Sequence, residues 1–77
     1  MRRKHTSEDI KFLKKFGERL RELRENTGLT QAELETDSKM SKNQIGRIER
    51  GEISTSITNL NLIAKALGAE VKDFFDF

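Results

Sequence analysis

Seventy-seven residues allow one small domain, and the absence of cysteine removes disulfides and thiolate metal sites as supports for its core. No apolar run approaches the roughly 20 residues that span a bilayer, and the N-terminus lacks an apolar signal region, so a soluble, cytoplasmic protein is expected. The net charge of +2 does not by itself mark a nucleic-acid binder. Its distribution says more: all 15 lysines and arginines except Lys65 and Lys72 lie within residues 1–50, and the chain ends Asp73-Phe74-Phe75-Asp76-Phe77. One face for an anionic partner and a packing end elsewhere are expected.

Residues 1–6, Met1-Arg-Arg-Lys-His-Thr6, form a basic stub without periodicity, read either as a solvated, flexible terminus or as an arm that reaches DNA. His5 lacks a second ligand at helical spacing, so no metal site is expected. Residues 7–77 are taken as a single domain. Thr6 or Ser7 caps a first helix whose Glu8 and Asp9 suit the positive end of the dipole. Ile10, Leu13, Phe16, Leu20 and Leu23 recur at three- and four-residue intervals, and Gly28 closes this helix of about twenty residues. Gly17 in mid-helix costs about 1 kcal/mol against Ala, which suggests close approach of a neighbouring helix.

Thr30-Gln-Ala-Glu33 is a capping box that opens a second helix ending between Thr36 and Ser38, with Leu34 and, in part, Ala32 facing inward. Ser41 and Gln44 make another box, and Gly51 suits a left-handed stop. Between them only Ile45 and Ile48 are large and apolar. The remaining surface carries Lys42, Asn43, Gln44, Arg47 and Arg50, so the helix is held by a narrow stripe and offers a polar front. Ser54 or Ser56 caps a fourth helix with Ile57, Leu60, Ile63, Ala64 and Leu67 on its apolar face, and Gly68 ends it. Val71, Phe74 and Phe75 belong to a short final helix. Strand-like alternation is missing, so an all-α fold of five helices is expected.

Phe16-Gly17, Arg24-Glu25, Gly28-Leu29-Thr30-Gln31, Leu34, Ile45, Ile48-Glu49-Arg50-Gly51, Leu60, Ile63 through Gly68, and Phe74-Phe75 stand in a fixed order across residues 12–75. In this the chain resembles the phage repressor and Cro-type (XRE) helix-turn-helix family. The resemblance implies a compact, lambda-repressor-like five-helix DNA-binding domain with its motif at about residues 31–50. It also implies a small transcriptional regulator, a repressor working as a homodimer on a two-fold-related operator in double-stranded DNA.

Carried over by position, the resemblance makes Lys42 to Arg50 the recognition helix in the major groove. It gives Lys42, Asn43 and Arg47 the base edges, where Lys and Arg suit guanine and Asn suits adenine. Gln31 resembles the family's phosphate contact; Gln44, Arg50, Ser41, Ser54, Thr55 and Ser56 are further candidates for the sugar-phosphate backbone, and Lys39 adds one that the family pattern does not supply. Glu49 becomes the partner of Arg24, fastening the recognition helix from behind. Two residues depart from the pattern: Glu35 stands where the family favours a small residue, and Lys39 where it favours glycine. At Glu35, either the stem runs outward past the helix crossing or the two helices sit slightly apart. Phe74, Phe75 and Phe77 exceed what a short terminal helix hides, and either close the core or form a dimer interface.

One histidine, no cysteine and no glycine-rich phosphate loop argue against an enzyme, and neither a cofactor nor a small-molecule ligand is expected. The rival reading is an adaptor or antitoxin-like protein whose helix-turn-helix domain also binds a protein partner. A polar, basic front at Lys42, Asn43 and Arg47 favours DNA; an apolar one would favour protein.

Overall fold

A computed structural model of the chain describes residues 4–77. Four α-helices run in chain order, α1 (Ser7–Thr27), α2 (Gln31–Ser38), α3 (Gln44–Glu49) and α4 (Ile57–Leu67), followed by a 3-10 helix at Val71–Phe75. The fold is all-α among the described residues, with a 3-10 turn where a fifth α-helix was expected. Five residues allow little more than one turn. That turn is tied down from outside, where Arg19 Nε of α1 donates to the Asp73 carbonyl at 2.7 Å.

Local chemistry sets most of the boundaries. Thr6 and Asp9 exchange reciprocal hydrogen bonds at the start of α1, as do Thr30 and Glu33 at the start of α2. Ser56 rather than Ser54 caps α4, its hydroxyl accepting from the Asn59 amide at 3.1 Å. α3 differs from the sequence expectation. Ser41 does not cap it; Asn43 takes a left-handed conformation (φ 69°) immediately before Gln44 and makes no side-chain cap bond. Asn tolerates that conformation better than most residues, so the chain turns once more before the helix begins. Half of the proposed box survives, with Gln44 Oε1 accepting from the Ser41 amide at 3.2 Å.

Leu20, Leu34, Ile45, Ile63 and Phe74 are fully buried, with Phe16, Ile48, Leu60, Ala64 and Leu67 close behind. α2 packs on α4, and α1 packs on both α3 and the terminal turn. Three positions assigned to the apolar faces are not covered: Ile10 is 41% and Ile57 81% exposed, and Ala32 is also at the surface. Ile57 is the first residue of α4 and Ile10 the fourth of α1, so both lie at helix starts.

Gly17 is where α1 meets α3. A Cβ built there would lie 2.4 Å from the carbonyl oxygens of both Ile48 and Glu49. Only the missing side chain lets the two backbones come together. At the other end of the contact, the Gly51 amide donates to the Ile48 carbonyl and the Glu52 amide to the Arg47 carbonyl. This is a Schellman closure that needs the positive φ of Gly51 (74°).

Candidate nucleic-acid interface

The back of α3 is fixed by one buried ion pair. Arg24 donates from Nε to Glu49 Oε2 at 2.6 Å and from its second terminal nitrogen to Oε1 at 3.0 Å, a two-pronged geometry. A third donor reaches the Leu29 carbonyl at 2.9 Å, linking the pair to the α1–α2 connection. Arg24 is 8% and Glu49 7% exposed. The Glu49 hydrogen bond raises the Arg24 guanidinium above its ordinary value, outweighing the desolvation that acts the other way. Gln31 completes the cluster, its amide donating to Glu49 Oε1 at 2.9 Å. Gln31, which the resemblance assigns to a phosphate, gives one amide hydrogen to Glu49 and remains exposed at the first position of α2.

The front is arranged differently. Lys42, Asn43 and Arg47 are all exposed. Lys42 and Asn43 lie on the turn leading into α3 rather than within its first turn, because the left-handed Asn43 delays the helix start. Arg47 lies within the helix, with its Nε 3.8 Å from Glu52 Oε1. Arg50 donates to Glu52 more closely, from Nε at 2.6 Å. Glu52 thus gathers two guanidinium groups, and the Arg50 hydrogen bond lowers its carboxyl from the ordinary value. Sequence reasoning missed this clamp; the Arg50-Gly51-Glu52 spacing across a Schellman turn was the available signal.

Among the remaining phosphate candidates, Lys39, Ser41 and Ser54 are exposed, while the Gln44 amide oxygen is used by the Ser41 amide. Thr55 does not suit the role: its Oγ1 is buried without a hydrogen-bond partner among the described residues and lines an apolar recess with Phe12, Leu60 and Phe75. The Ser56 hydroxyl accepts from the Asn59 amide as the α4 cap, lies 3.1 Å from Thr58 Oγ1 and is exposed.

The two departures resolve in different ways. Glu35 does not extend outward past the crossing. It is 8% exposed, and its Oε2 accepts from the Ile45 amide at 3.0 Å. Lys39 takes the left-handed conformation that the family gives to glycine (φ 59°, ψ 35°) and ends α2.

Phe74 is fully buried and stacks on Phe16 with ring centroids 6.1 Å apart, so it closes the core and is not available to a partner. Phe75 and Phe77 remain 45% and 54% exposed. They are joined by Phe12, half exposed on α1, whose ring lies 6.4 Å from Phe75 and 5.7 Å from Phe77. Phe12 was missed because it lies one position off the apolar stripe, although it is four residues before Phe16. No group of residues among those described could hold a metal ion, and no described helix is long and apolar enough to cross a membrane. Residues 1–3 of the basic stub lie outside the described residues; Lys4 to Thr6 precede α1 and are exposed.

Known proteins share this arrangement. Residues 15–73 match the family model described as "Helix-turn-helix domain". Control protein C.BamHI of Bacillus amyloliquefaciens is 35% identical over 63 residues, which cover 80% of this chain and 78% of the relative. The crystal structure of the restriction-modification controller protein C.AhdI from Aeromonas hydrophila superposes with a TM-score of 0.82 at 40% identity, covering 84% of this chain and 98% of that one. The clp gene regulator ClgR from Corynebacterium glutamicum gives 0.78 at 33% identity, covering 82% and 67%. With the motif helices, the buried Arg24–Glu49 fastening and these relatives in agreement, the chain belongs to the helix-turn-helix family of repressor and Cro-type (XRE) DNA-binding regulators.

Proposed function

We propose that this protein is a sequence-specific double-stranded DNA-binding regulator of transcription, a repressor that works as a homodimer in the cytoplasm, and not an enzyme. The observation that carries the reading is the two-sided construction of α3. Ile45, Ile48 and Glu49 are buried behind it, while Lys42, Asn43 and Arg47 are exposed in front, Arg47 within reach of Glu52. A helix gripped in this way presents its N-terminal end to a major groove. Lys42, Asn43 and Arg47 then read base edges, and Lys39, Ser41, Gln44, Arg50 and Ser54 lie beside the sugar-phosphate backbone. Residues 7–77 serve as one binding domain and residues 1–6 as a basic arm. C.BamHI and C.AhdI, named as control or controller proteins, and ClgR, named as a gene regulator, support a regulatory role.

The exposed Phe12, Phe75 and Phe77 cluster supports self-association, which would set two recognition helices about 34 Å apart along one turn of DNA. Selection of bound fragments from random duplex DNA tests both parts. The expected result is an enriched sequence with two inverted half-sites about one helical turn apart. Binding that weakens steeply with salt and enriches no sequence would overturn the reading in favour of a purely electrostatic binder. Sedimentation of Phe75→Glu tests the interface separately: a monomer with weak operator affinity is expected, and an unchanged dimer would exclude this surface.

A further inference from the structure

We propose that Glu35 is the positioning residue of the recognition helix, capping its first turn from the preceding helix and so fixing the angle at which base-reading side chains are presented. α3 has six residues, too few to be stable without support. The first amides of any helix lack intrahelical partners and are normally satisfied by the N-cap side chain. Here the N-cap residue, Asn43, gives no such bond. The acceptor comes instead from ten residues earlier, where Glu35 Oε2 takes the Ile45 amide at 3.0 Å.

The same residue also finishes α2. Its carbonyl accepts from the Met40 amide at 2.8 Å. Glu35 therefore holds the end of one motif helix by its backbone and the start of the next by its side chain. The link between them contains both non-glycine residues of positive φ among those described, Lys39 at 59° and Asn43 at 69°. Lys is disfavoured in that conformation and Asn merely tolerates it, so intrinsic preference alone does not specify the turn. Tertiary bonds must do so. Arg24 and Glu49 fix the C-terminal end of α3; Glu35 fixes the end that carries Lys42 and Asn43.

A core-filling role does not account for the choice of side chain. Burying a carboxylate is costly unless it is hydrogen-bonded, and among the described residues the Ile45 amide is its one hydrogen-bond partner.

Two variants and two readouts test this. Glu35→Gln keeps an acceptor oxygen at the same reach; Glu35→Ala removes it. The first readout is hydrogen exchange of the Ile45 amide in the free protein, which needs no DNA. Wild type and Glu35→Gln should protect it similarly, and Glu35→Ala should exchange it about tenfold faster, as loss of a cap implies. The second rests on the DNA-binding reading above: the ratio of affinities for the selected operator and a scrambled duplex of equal length. Glu35→Ala should lower that ratio about tenfold with little change on scrambled DNA, and Glu35→Gln should stay within about threefold of wild type. An unprotected Ile45 amide in the wild-type protein overturns the proposal, as does Glu35→Gln behaving like Glu35→Ala. Equal loss by Glu35→Ala on both duplexes also overturns it, since general destabilisation would act that way. Should Glu35→Ala not fold, wild type and Glu35→Gln still decide. If the wild type prefers no duplex, the DNA-binding reading fails while the exchange result on the cap stands.

Discussion

Replacing Glu49 with alanine should unfasten the recognition helix and lower stability substantially. The carboxylate accepts three hydrogen bonds, two from Arg24 at 2.6 and 3.0 Å and one from Gln31 at 2.9 Å. Its removal leaves a guanidinium whose side chain is only 10% exposed without a counter-charge. Breaking one side of such a pair costs about 3–5 kcal/mol. Arg24 retains its bond to the Leu29 carbonyl, which places the expected loss near the lower end, about 3 kcal/mol. For a domain of this size each kcal/mol corresponds to roughly 4–8 °C in Tm, so a fall of at least about 12 °C is expected. Thermal and urea unfolding of Glu49→Ala, Arg24→Ala and the double variant measure it. The double variant should be markedly less destabilised than the sum, because each single change strands the other group. Operator affinity should fall with stability in both single variants. Unaltered thermal stability in Glu49→Ala, or additive losses, would refute the fastening role.

Gly17→Ala gains about 1 kcal/mol of helix propensity but sets a Cβ 2.4 Å from two backbone carbonyls. Net destabilisation is expected by circular dichroism melting, and a stabilised variant would contradict the close α1–α3 approach. Lys39→Gly relieves the left-handed strain at φ 59° and should stabilise by about 1 kcal/mol while weakening DNA binding through loss of a cation; tighter binding would argue against a phosphate contact. Glu52→Ala frees Arg50 and Arg47, so operator affinity at low salt should rise a few-fold and the salt dependence should steepen. The Glu52 carboxyl is held below its ordinary 4.5 by Arg50, so the clamp's stabilisation is present above that value, fades only as pH falls through the lowered value, and is intact at neutral pH. Weaker binding by Glu52→Ala would show that the carboxylate organises the arginines rather than competing for them.

What could be read in advance followed local chemistry. The cap at Thr6, the capping box at Thr30 and the stops at Gly28 and Gly68 are short-range signals, and each has its counterpart in the fold, as does the close helix approach read from Gly17. The start of α3 was misplaced because Ser41 and Gln44 satisfy the box pattern, while the decision lies with the left-handed Asn43. Glu35 could not be placed from spacing, since its partner is an amide ten residues away on another helix. The aromatic tail was divided only by packing: identical neighbours Phe74 and Phe75 end on opposite sides of the core boundary, one fully buried and one 45% exposed. At the interface, residue types pointed to DNA. The Gln31–Glu49 bond and the burial of Thr55 could not be read from spacing and the Glu52 clamp was missed, whereas the Ser56 cap is local and was among the expected ones.

The central claim is that the front of α3 reads bases. Its most direct test is the affinity ratio between the selected operator and a scrambled duplex, measured across a salt series for wild type and Arg47→Ala. A wild-type ratio of at least about a thousandfold is expected, and for Arg47→Ala a loss of about 1–3 kcal/mol with relaxed preference at a single base position. Equal affinity for both duplexes at every salt concentration, or a uniform loss by Arg47→Ala on both, would contradict it.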